Sequence, residues 1–332
     1  MMVIAPKITL CLPGMSSPRE TGFGRLEMNM SQLYDIGIFG GDQRQVYMAA
    51  SFLAKGYRVA PYSLSEEINS YVDWQSDTGM IGKAYGQAHT LSELFDNCRV
   101  LIGPVPMSRD QVNIITKNST TDLTIAHVAY LLQEGHILIG GAIPAPLTEL
   151  CSTKHIPCYD LMKDEKITIL NAIATAEGTI MEAIRESDRN LHGSCCLVLG
   201  YGRCAKVLAQ KLKALDAYVT VAARSRDALA YATAAGHNAI YISAMNSILP
   251  SFHFIFNTIP SFILDKDSLS LVNPHAVIID ISSAPGGVDF SYAADLKLNA
   301  KLCLGLPGKV APRTSSDILV TEIITFLKER SD

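Results

Sequence analysis

The sequence predicts an α/β protein with two Rossmann-like, doubly wound domains, each built on a parallel β-sheet. Short apolar segments typical of buried strands alternate with amphipathic segments along most of the 332 residues. This alternation is typical of βαβ units with right-handed crossovers. The plan occurs twice, from residue 35 and again from about residue 193. In the second unit a glycine-rich turn separates the first strand from the first helix, as in dinucleotide-binding domains.

The composition indicates a globular protein that binds neither nucleic acid nor membranes. Hydrophobic residues make up 48% of the chain, which is enough for a large core. The 28 Lys and Arg residues face 32 Asp and Glu residues, a net charge of −4, whereas nucleic-acid-binding domains are usually basic. No apolar run reaches the roughly 18 residues of a membrane span.

Eight scattered cysteines lack metal-ligand spacing. We therefore expect reduced thiols, no metal and a cytoplasmic protein without an export signal.

The pattern also predicts the domain boundaries. Residues 1–30 contain three prolines and no sustained periodicity, which favours a disordered extension over an ordered arm. Residues 31–168 are expected to form an N-terminal substrate or catalytic domain, to which 312–332 return. Residues 169–311 are expected to form the NAD(P)-binding domain, beginning with a long helix over 169–186 that joins the two domains.

The first unit begins with a strand over 36–40, and the turn at Gly41 and Asp42 leads into a helix. Asp42 is a suitable N-cap residue, and Gly56 ends the helix over 43–55. Further strands are predicted at 58–62, 100–103, 137–140 and 156–159, with helices at 123–134 and 146–153.

The second unit repeats this order. Its strands are predicted at 195–199, 218–223, 239–242, 252–257, 276–281 and 301–304, and its helices at 203–215 and 227–235. A closing amphipathic helix over 316–328 is expected to pack on the first domain.

The strongest functional motif is G-x-G-x-x-A, from Gly200 to Ala205. Gly200 permits a tight turn, Gly202 lets the backbone approach a pyrophosphate, and Ala205 lets the helix pack on the sheet. Free N–H groups at the helix N-terminus favour the phosphates. We therefore predict a dinucleotide held by Gly200, Tyr201, Gly202, Arg203 and Ala205. A domain that has lost its nucleotide is the alternative.

The end of the next strand favours NADP, with NAD possible. An NAD site usually has an acidic residue about 20 positions on, but this chain has Arg224, Ser225 and Arg226. Arginine can hold a 2′-phosphate with paired hydrogen bonds, although a solvated arginine pair is the alternative. Two later strand ends are expected to line the nicotinamide cleft, at Thr258, Ile259, Pro260, Asp280 and Ser282.

Substrate-binding and catalytic candidates lie outside that motif. A cation in the first turn of a helix opposes the helix dipole, so Arg44, with Gln45, is predicted to bind a substrate carboxylate. Glu177 falls within an apolar arc of the joining helix and is a candidate for proton transfer. Lys309 and Arg313 are candidates for a second carboxylate. The alternatives are a solvated or ion-paired Arg44, an interdomain salt bridge at Glu177 and surface charges at 309 and 313.

Several segments together resemble the dipicolinate synthase A-subunit family of endospore-forming bacteria. They occur in order between about residues 30 and 320. They include GGDQRQ at 40–45, ATAEGTI at 174–180, HGS at 192–194, LGYGR at 199–203, ARS at 223–225, NTIPS at 257–261, PGG at 285–287 and GLPG at 305–308. Ala174 and Ala284 depart from that pattern, because the family more often has Pro and Arg there.

The resemblance implies an oxidoreductase that acts with a flavoprotein-like B-subunit of dipicolinate synthase during spore formation. The pair would convert dihydrodipicolinate, a small dicarboxylate, into dipicolinate. The resemblance places any flavin on that partner only. The alternative is a nucleotide-binding scaffold, with the chemistry on the partner.

Overall fold

Two parallel β-sheets organise the part of the chain that the computed structural model describes, which is residues 33–64, 85–118 and 121–330. The predicted extension at 1–30 lies outside these residues. The strands of the first sheet are β1 (Tyr34–Phe39), β2 (Val59–Tyr62), β3 (Cys98–Ile102), β4 (Ile137–Gly140) and β5 (Cys158–Asp160). Their spatial order is β2-β1-β3-β4-β5, so the chain reverses its direction of travel between β1 and β3. Ligands of open α/β sheets bind at such a reversal.

The second sheet has the strand order of dinucleotide-binding domains. Its strands are β6 (Cys195–Leu199), β7 (Tyr218–Ala223), β8 (Asn238–Tyr241), β9 (Phe254–Asn257), β10 (Val277–Asp280) and β11 (Asn299–Leu302). They are arranged as β11-β10-β9-β6-β7-β8, and the reversal lies between β6 and β9. The predicted pair of doubly wound parallel sheets is confirmed.

Helices connect the strands and cover the sheets. Those of the first part are α1 (Gln43–Ala54), α2 (Leu91–Asn97), α3 (Ile125–Leu131) and α4 (Ala145–Thr153). Those that follow are α5 (Glu165–Arg185), α6 (Arg203–Ala214), α7 (Arg226–Ala234), α8 (Lys266–Leu269), α9 (Phe290–Asp295), α10 (Leu306–Val310) and α11 (Pro312–Lys328). Two short 3₁₀ segments, Ile242–Ser247 and Leu249–Ser251, precede β9.

The C-terminal helix returns to the first sheet, as predicted. In α11, Leu319, Val320, Ile323 and Leu327 are buried in one apolar cluster with residues of α1 and of strands β1 to β4. Tyr159 of β5 also stacks on Phe326, with ring centroids 4.4 Å apart. The last segment of the chain therefore completes the core of the first domain.

The joining helix α5 leaves much of its apolar arc exposed. Four of its large apolar residues are exposed, among them Ile169 at 47% and Ile184 at 55%. Its buried face carries small residues, and a Cβ on Gly178 would stand 3.1 Å from Leu306 Cβ of α10. The face of α5 that is buried is therefore the one whose small residues let α10 pack closely, and not the one with the largest side chains.

An ion-pair cluster fixes α5 to the second sheet. Lys301 of β11 donates to Glu182 at 2.8 Å and to Glu186 at 2.7 Å. The hydrogen bond from Lys301 holds the pKa of Glu182 below its usual range. By length and mean hydropathy α5 also passes as a candidate membrane span, but nearly half of that stretch is buried against the rest of the protein.

Candidate functional site

The turn after β6 lies at the reversal of the second sheet. Gly200 has a φ of +93°, and a Cβ there would stand 2.6 Å from Thr258 Oγ1. The Thr258 hydroxyl donates to the Leu199 carbonyl at 2.8 Å, which ties the ends of β6 and β9 together. Both the backbone conformation and the available space therefore require glycine at position 200.

The N-terminus of α6 is open to an anion. Its N-cap, Gly202, supplies no side-chain acceptor for the first N–H groups, whereas Asp42 caps α1 and Ser225 caps α7. A Cβ on Gly202 would meet no atom within 4 Å, while Ala205 is fully buried against the sheet. Uncapped N–H groups and free space beside the turn fit the pyrophosphate of a nicotinamide dinucleotide.

The cationic residues after β7 face solvent. Arg224 and Arg226 are exposed, and neither guanidinium group makes a hydrogen bond or ion pair with any residue in the described ranges. The hydroxyl of Ser225 accepts from the Ala228 N–H as the cap of α7. The two guanidinium groups are thus available to a phosphate, while Ser225 already has a structural role.

Two predicted cofactor contacts are buried in their own loop. Asp280 is fully buried, and its carboxylate accepts from the N–H and hydroxyl of Ser282 and from the N–H of Gly287, at 2.7–2.8 Å. Ser282 is 4% exposed. Their polar atoms hold the loop after β10 in shape, and the expectation that this strand end lines the nicotinamide cleft remains a prediction.

The loop after β9 is held in a similar way but remains accessible. Asn257, fully buried, accepts from the Ile259 N–H at 3.0 Å and donates to the Ile259 carbonyl at 3.2 Å. Thr258 and Ile259 are half-buried and Pro260 is exposed. This loop remains a predicted wall of the cofactor crevice.

Two other residues of the glycine motif contact protein rather than open space. Arg203 forms an ion pair with Glu165, at the start of α5. The ring of Tyr201 lies edge-on to His237, with centroids 6.3 Å apart, on the flank between α6 and α7. Their backbone still forms the turn, but their side chains do not converge on it.

The reversal of the first sheet holds Arg44. Its Nε donates to Asp42 Oδ1 at 2.9 Å and its Nη2 to Oδ2 at 2.8 Å, and Nη2 also donates to the Val105 carbonyl beyond β3. The guanidinium thus bridges the loops after β1 and β3. Its Nη1 has no acceptor among the described residues, so two N–H groups remain for a ligand.

The surroundings of Arg44 favour a charged Asp42. Burial alone raises the pKa of Asp42, but hydrogen bonds and the positive charge of Arg44 outweigh it and hold the pKa below its usual value. Asp42 also caps α1, as predicted, through a bond from the Arg44 N–H at 2.9 Å. The helix dipole is therefore offset by Asp42, and Arg44 is ion-paired, while its binding of a substrate carboxylate through Nη1 remains a prediction.

Gln45 has a structural place. It is fully buried, and its Oε1 accepts from the Asp42 N–H at 2.9 Å, which completes a capping box. Its Nε2 has no hydrogen-bond partner among the described residues. The expectation that Gln45 binds substrate directly is wrong, because its side chain is enclosed.

The segment between the second sheet and α11 passes beside Arg44. A Cβ on Gly308 of α10 would stand 2.7 Å from Arg44 Nε and 2.8 Å from Asp42 Oδ2. Lys309 and Arg313 are not buried, and they follow this contact directly. Their role toward a second carboxylate remains a prediction.

Glu177 is not on a buried apolar face. It lies on the exposed side of α5, and its Oε1 accepts from Lys211 of α6 at 2.8 Å. This is a salt bridge, as the alternative to proton transfer expected, but it joins two helices of the predicted nucleotide-binding domain and not two domains. The apolar surroundings on which the catalytic expectation depended are absent around this carboxylate in the described part of the chain.

The sequence did not reveal two features of this edge. The Val105 carbonyl meets Arg44 only because β1 and β3 are neighbours in space. Tyr62, at the end of β2, donates to Asp122 at 2.6 Å, and burial together with this bond raises the pKa of Tyr62. The spacing of residues along the chain gives no signal for such long-range pairs. The pair of Asp42 and Arg44 differs, because its two members lie only two positions apart.

Two family models match the chain. One, described as the N-terminal domain of the dipicolinate synthase A-subunit, matches residues 35–162. The other, described as D-isomer specific 2-hydroxyacid dehydrogenase, NAD binding domain, matches residues 168–287. The second half of the chain is thus similar to an NAD-binding dehydrogenase domain.

Relatives support the same assignment. The dipicolinate synthase A-subunit of Bacillus subtilis (strain 168) is 36% identical over 216 residues, which are 65% of this chain and 70% of the relative. The crystal structure of the A-subunit from Bacillus halodurans has a TM-score of 0.78 at 27% identity, over 90% of this chain and 99% of that chain. The crystal structure of the Bacillus subtilis protein has a TM-score of 0.75 at 28% identity, over 91% of this chain and 97% of that chain. The chain therefore belongs to the dipicolinate synthase A-subunit family.

Proposed function

We propose that the chain is an NADP-linked oxidoreductase that, with a flavoprotein-like B-subunit, oxidises dihydrodipicolinate to dipicolinate in spore formation. Aromatisation removes one hydride and one proton from the ring. Bound NADP⁺ would supply the acceptor for the hydride, and the proton would pass to water. The proposed location of the protein is the cytoplasm.

The observation that carries the proposal is the pairing of two different anion-receptive crevices. At the first reversal, Arg44 has two N–H groups without an acceptor among the described residues. At the second, the uncapped start of α6 offers N–H groups to a pyrophosphate. A dianionic substrate beside a dinucleotide needs both kinds of site.

The substrate is held mainly by local charge, since the net charge of −4 gives no long-range attraction. Arg44 Nη1 donates to one carboxylate of the substrate. Because Asp42 already fixes the guanidinium, binding costs little conformational entropy of the Arg44 side chain. Lys309 and Arg313, which follow Gly308, take the second carboxylate.

The cofactor is held by backbone at the turn and by cations beyond it. The turn at Gly200 and Gly202 receives the pyrophosphate. Arg224 and Arg226 receive the 2′-phosphate, which is why we propose NADP ahead of NAD.

A steady-state assay tests the proposal. The purified chain, with and without the B-subunit, is mixed with dihydrodipicolinate and NADP⁺, and NADPH is followed by its absorbance. We expect NADPH to form in step with dipicolinate. Dipicolinate formed without any NADPH would contradict the proposal.

A second candidate is a nucleotide-binding scaffold that stabilises the partner carrying the chemistry. The observation that favours it is the exposed, ion-paired state of Glu177, which leaves the proposed reaction without its predicted proton acceptor. NADP binding without turnover, together with turnover by the B-subunit alone, would support the scaffold.

A further inference from the structure

A groove between α6 and α7 lies outside both crevices. Its volume is about 450 Å³. Its floor and walls include Tyr201, Lys206, Gln210, Lys213, Tyr231 and His237, and we call it the α6–α7 groove. It lies on the helical flank of the second sheet, whereas the predicted cofactor path follows the carboxyl ends of the strands.

The groove combines aromatic rings with positive charge. The Lys206 ammonium lies 5.9 Å from the centroid of Tyr201 and 5.2 Å from that of Tyr231. Lys213 lies two turns further along α6, about 10 Å away along the axis. None of the described residues that line the groove is acidic, so its charge is not compensated from within.

Its polar groups retain unused hydrogen-bonding capacity. Lys206 makes no ion pair with any residue in the described ranges, and Lys213 uses one N–H toward the Ala235 carbonyl at 2.9 Å. His237 is 7% exposed, and its Nδ1 has no hydrogen-bond partner in the described structure. A buried ring nitrogen without a partner costs free energy unless a ligand or water satisfies it.

The chemistry of these groups selects one class of ligand. The flanks of two helices offer no free backbone N–H, so a bare phosphate would meet only ammonium groups. Tyr231 is 65% exposed and presents a ring that can stack on a planar ligand. Two lysines at opposite ends suit two carboxylates with a ring between them.

We propose that the α6–α7 groove binds a planar aromatic dicarboxylate. The ring stacks against Tyr231, one carboxylate pairs with Lys206 and the other with Lys213. The inference about the groove is independent of the proposed function, whereas naming dipicolinate as its physiological ligand rests on that function.

Calorimetry on the full chain with saturating NADP tests the proposal. The probes are isophthalate, which carries two carboxylates on a benzene ring, and glutarate, which spaces two carboxylates similarly without a ring. In an Arg44→Ala background, which removes the proposed substrate contact, we expect isophthalate to bind at one site. Lys206→Gln and Tyr231→Ala should each weaken that binding about tenfold, and glutarate should bind about tenfold more weakly than isophthalate.

Lys211→Gln is the matched control, because Lys211 lies on the same helix but faces Glu177. It should leave the affinity for isophthalate unchanged. Absence of isophthalate binding in a chain that still binds NADP would overturn the proposal, as would equal affinity for glutarate or no effect of Lys206→Gln. Failure of the oxidation assay with intact groove binding would overturn only the proposed function.

Discussion

Arg44 and Asp42 form a paired ion contact in which Nε and Nη2 donate to different carboxylate oxygens, at 2.9 and 2.8 Å. The contact places a fixed guanidinium at the reversal of the first sheet. Because the same carboxylate caps α1, Asp42 has both a structural and a positioning role.

Arg44→Ala should weaken dipicolinate binding without changing NADP binding. Loss of one charge-assisted contact costs about 1.5–3 kcal/mol, or roughly 10- to 150-fold in affinity. Arg44→Lys should recover only part of this, because lysine keeps the charge but lacks the planar fork. Calorimetry with each ligand, in a Lys206→Gln background that weakens binding at the α6–α7 groove, measures both affinities. Equal loss of both would indicate misfolding, and unchanged dipicolinate affinity would exclude Arg44 from the substrate site.

Asp42→Asn should give a pH-dependent loss of stability. The pKa of Asp42 is lower in the folded chain than its ordinary value near 3.9, so its charge stabilises the fold above about pH 4. That contribution disappears as the pH falls through the folded-state pKa. Urea unfolding of both proteins from pH 7 to pH 3 should show a gap that narrows below about pH 4. A gap that stays constant would contradict this interpretation.

Gly200→Ala and Gly202→Ala should separate folding from cofactor binding. Alanine at 200 meets Thr258 Oγ1 and has a positive φ, so we expect a loss of about 1–3 kcal/mol and a melting temperature several degrees lower. Alanine at 202 meets nothing within 4 Å and should leave stability within about 0.5 kcal/mol. Gly202→Ala should nevertheless reduce the affinity for the nucleotide at least as much as Gly200→Ala does. Comparable destabilisation by both changes would refute the distinction.

Arg224→Asp should shift preference from NADP toward NAD. The change removes a cation proposed to meet the 2′-phosphate and adds an acceptor for a ribose hydroxyl. We expect NADP affinity to fall by roughly 10- to 150-fold. Titration of both nucleotides measures the shift, with Lys297→Asp, an exposed change before β11, as control. NADP affinity that stays the same would exclude Arg224 from the cofactor site.

Glu177→Gln should have little effect on either turnover or stability. The carboxylate is more than half exposed, and its partner Lys211 is about one-third exposed, so their contact is worth less than about 1 kcal/mol. Turnover and thermal melting of the variant, compared with Lys211→Gln, provide the measurement. A hundredfold loss of turnover with unchanged folding would restore Glu177 as the proton acceptor.

Much of the fold was predictable because buried parallel strands are continuous apolar segments. The bounds predicted for β4, β6 and β7 agree with the structure. The short helices α8, α9 and α10 were not predicted, since four to six residues are too few to show a helical period.

The joining helix shows where the pattern misleads. A period of 3.6 predicts which side chains share a face, but only the neighbouring elements decide whether that face is buried. Small residues such as Gly178 let α10 come close, and this packing leaves the larger residues outside.

The turn at Gly200 and Gly202 was predictable because close approach of the backbone to a pyrophosphate requires glycines at a fixed spacing. The roles of Asp280 and Ser282 were not, because a carboxylate at a strand end can meet a ligand or its own loop with the same local sequence. Only the bonds to Gly287 and Ser282 distinguish the two cases.

The return of α11 to the first sheet has a consequence for synthesis on the ribosome. Every strand of the second sheet has been made by residue 302, so the nucleotide-binding half can complete its sheet before α11 has left the ribosome. The first half must wait for Leu319, Val320 and Ile323 to cover the apolar face of α1. The domain that is translated first is therefore the last to acquire a complete core.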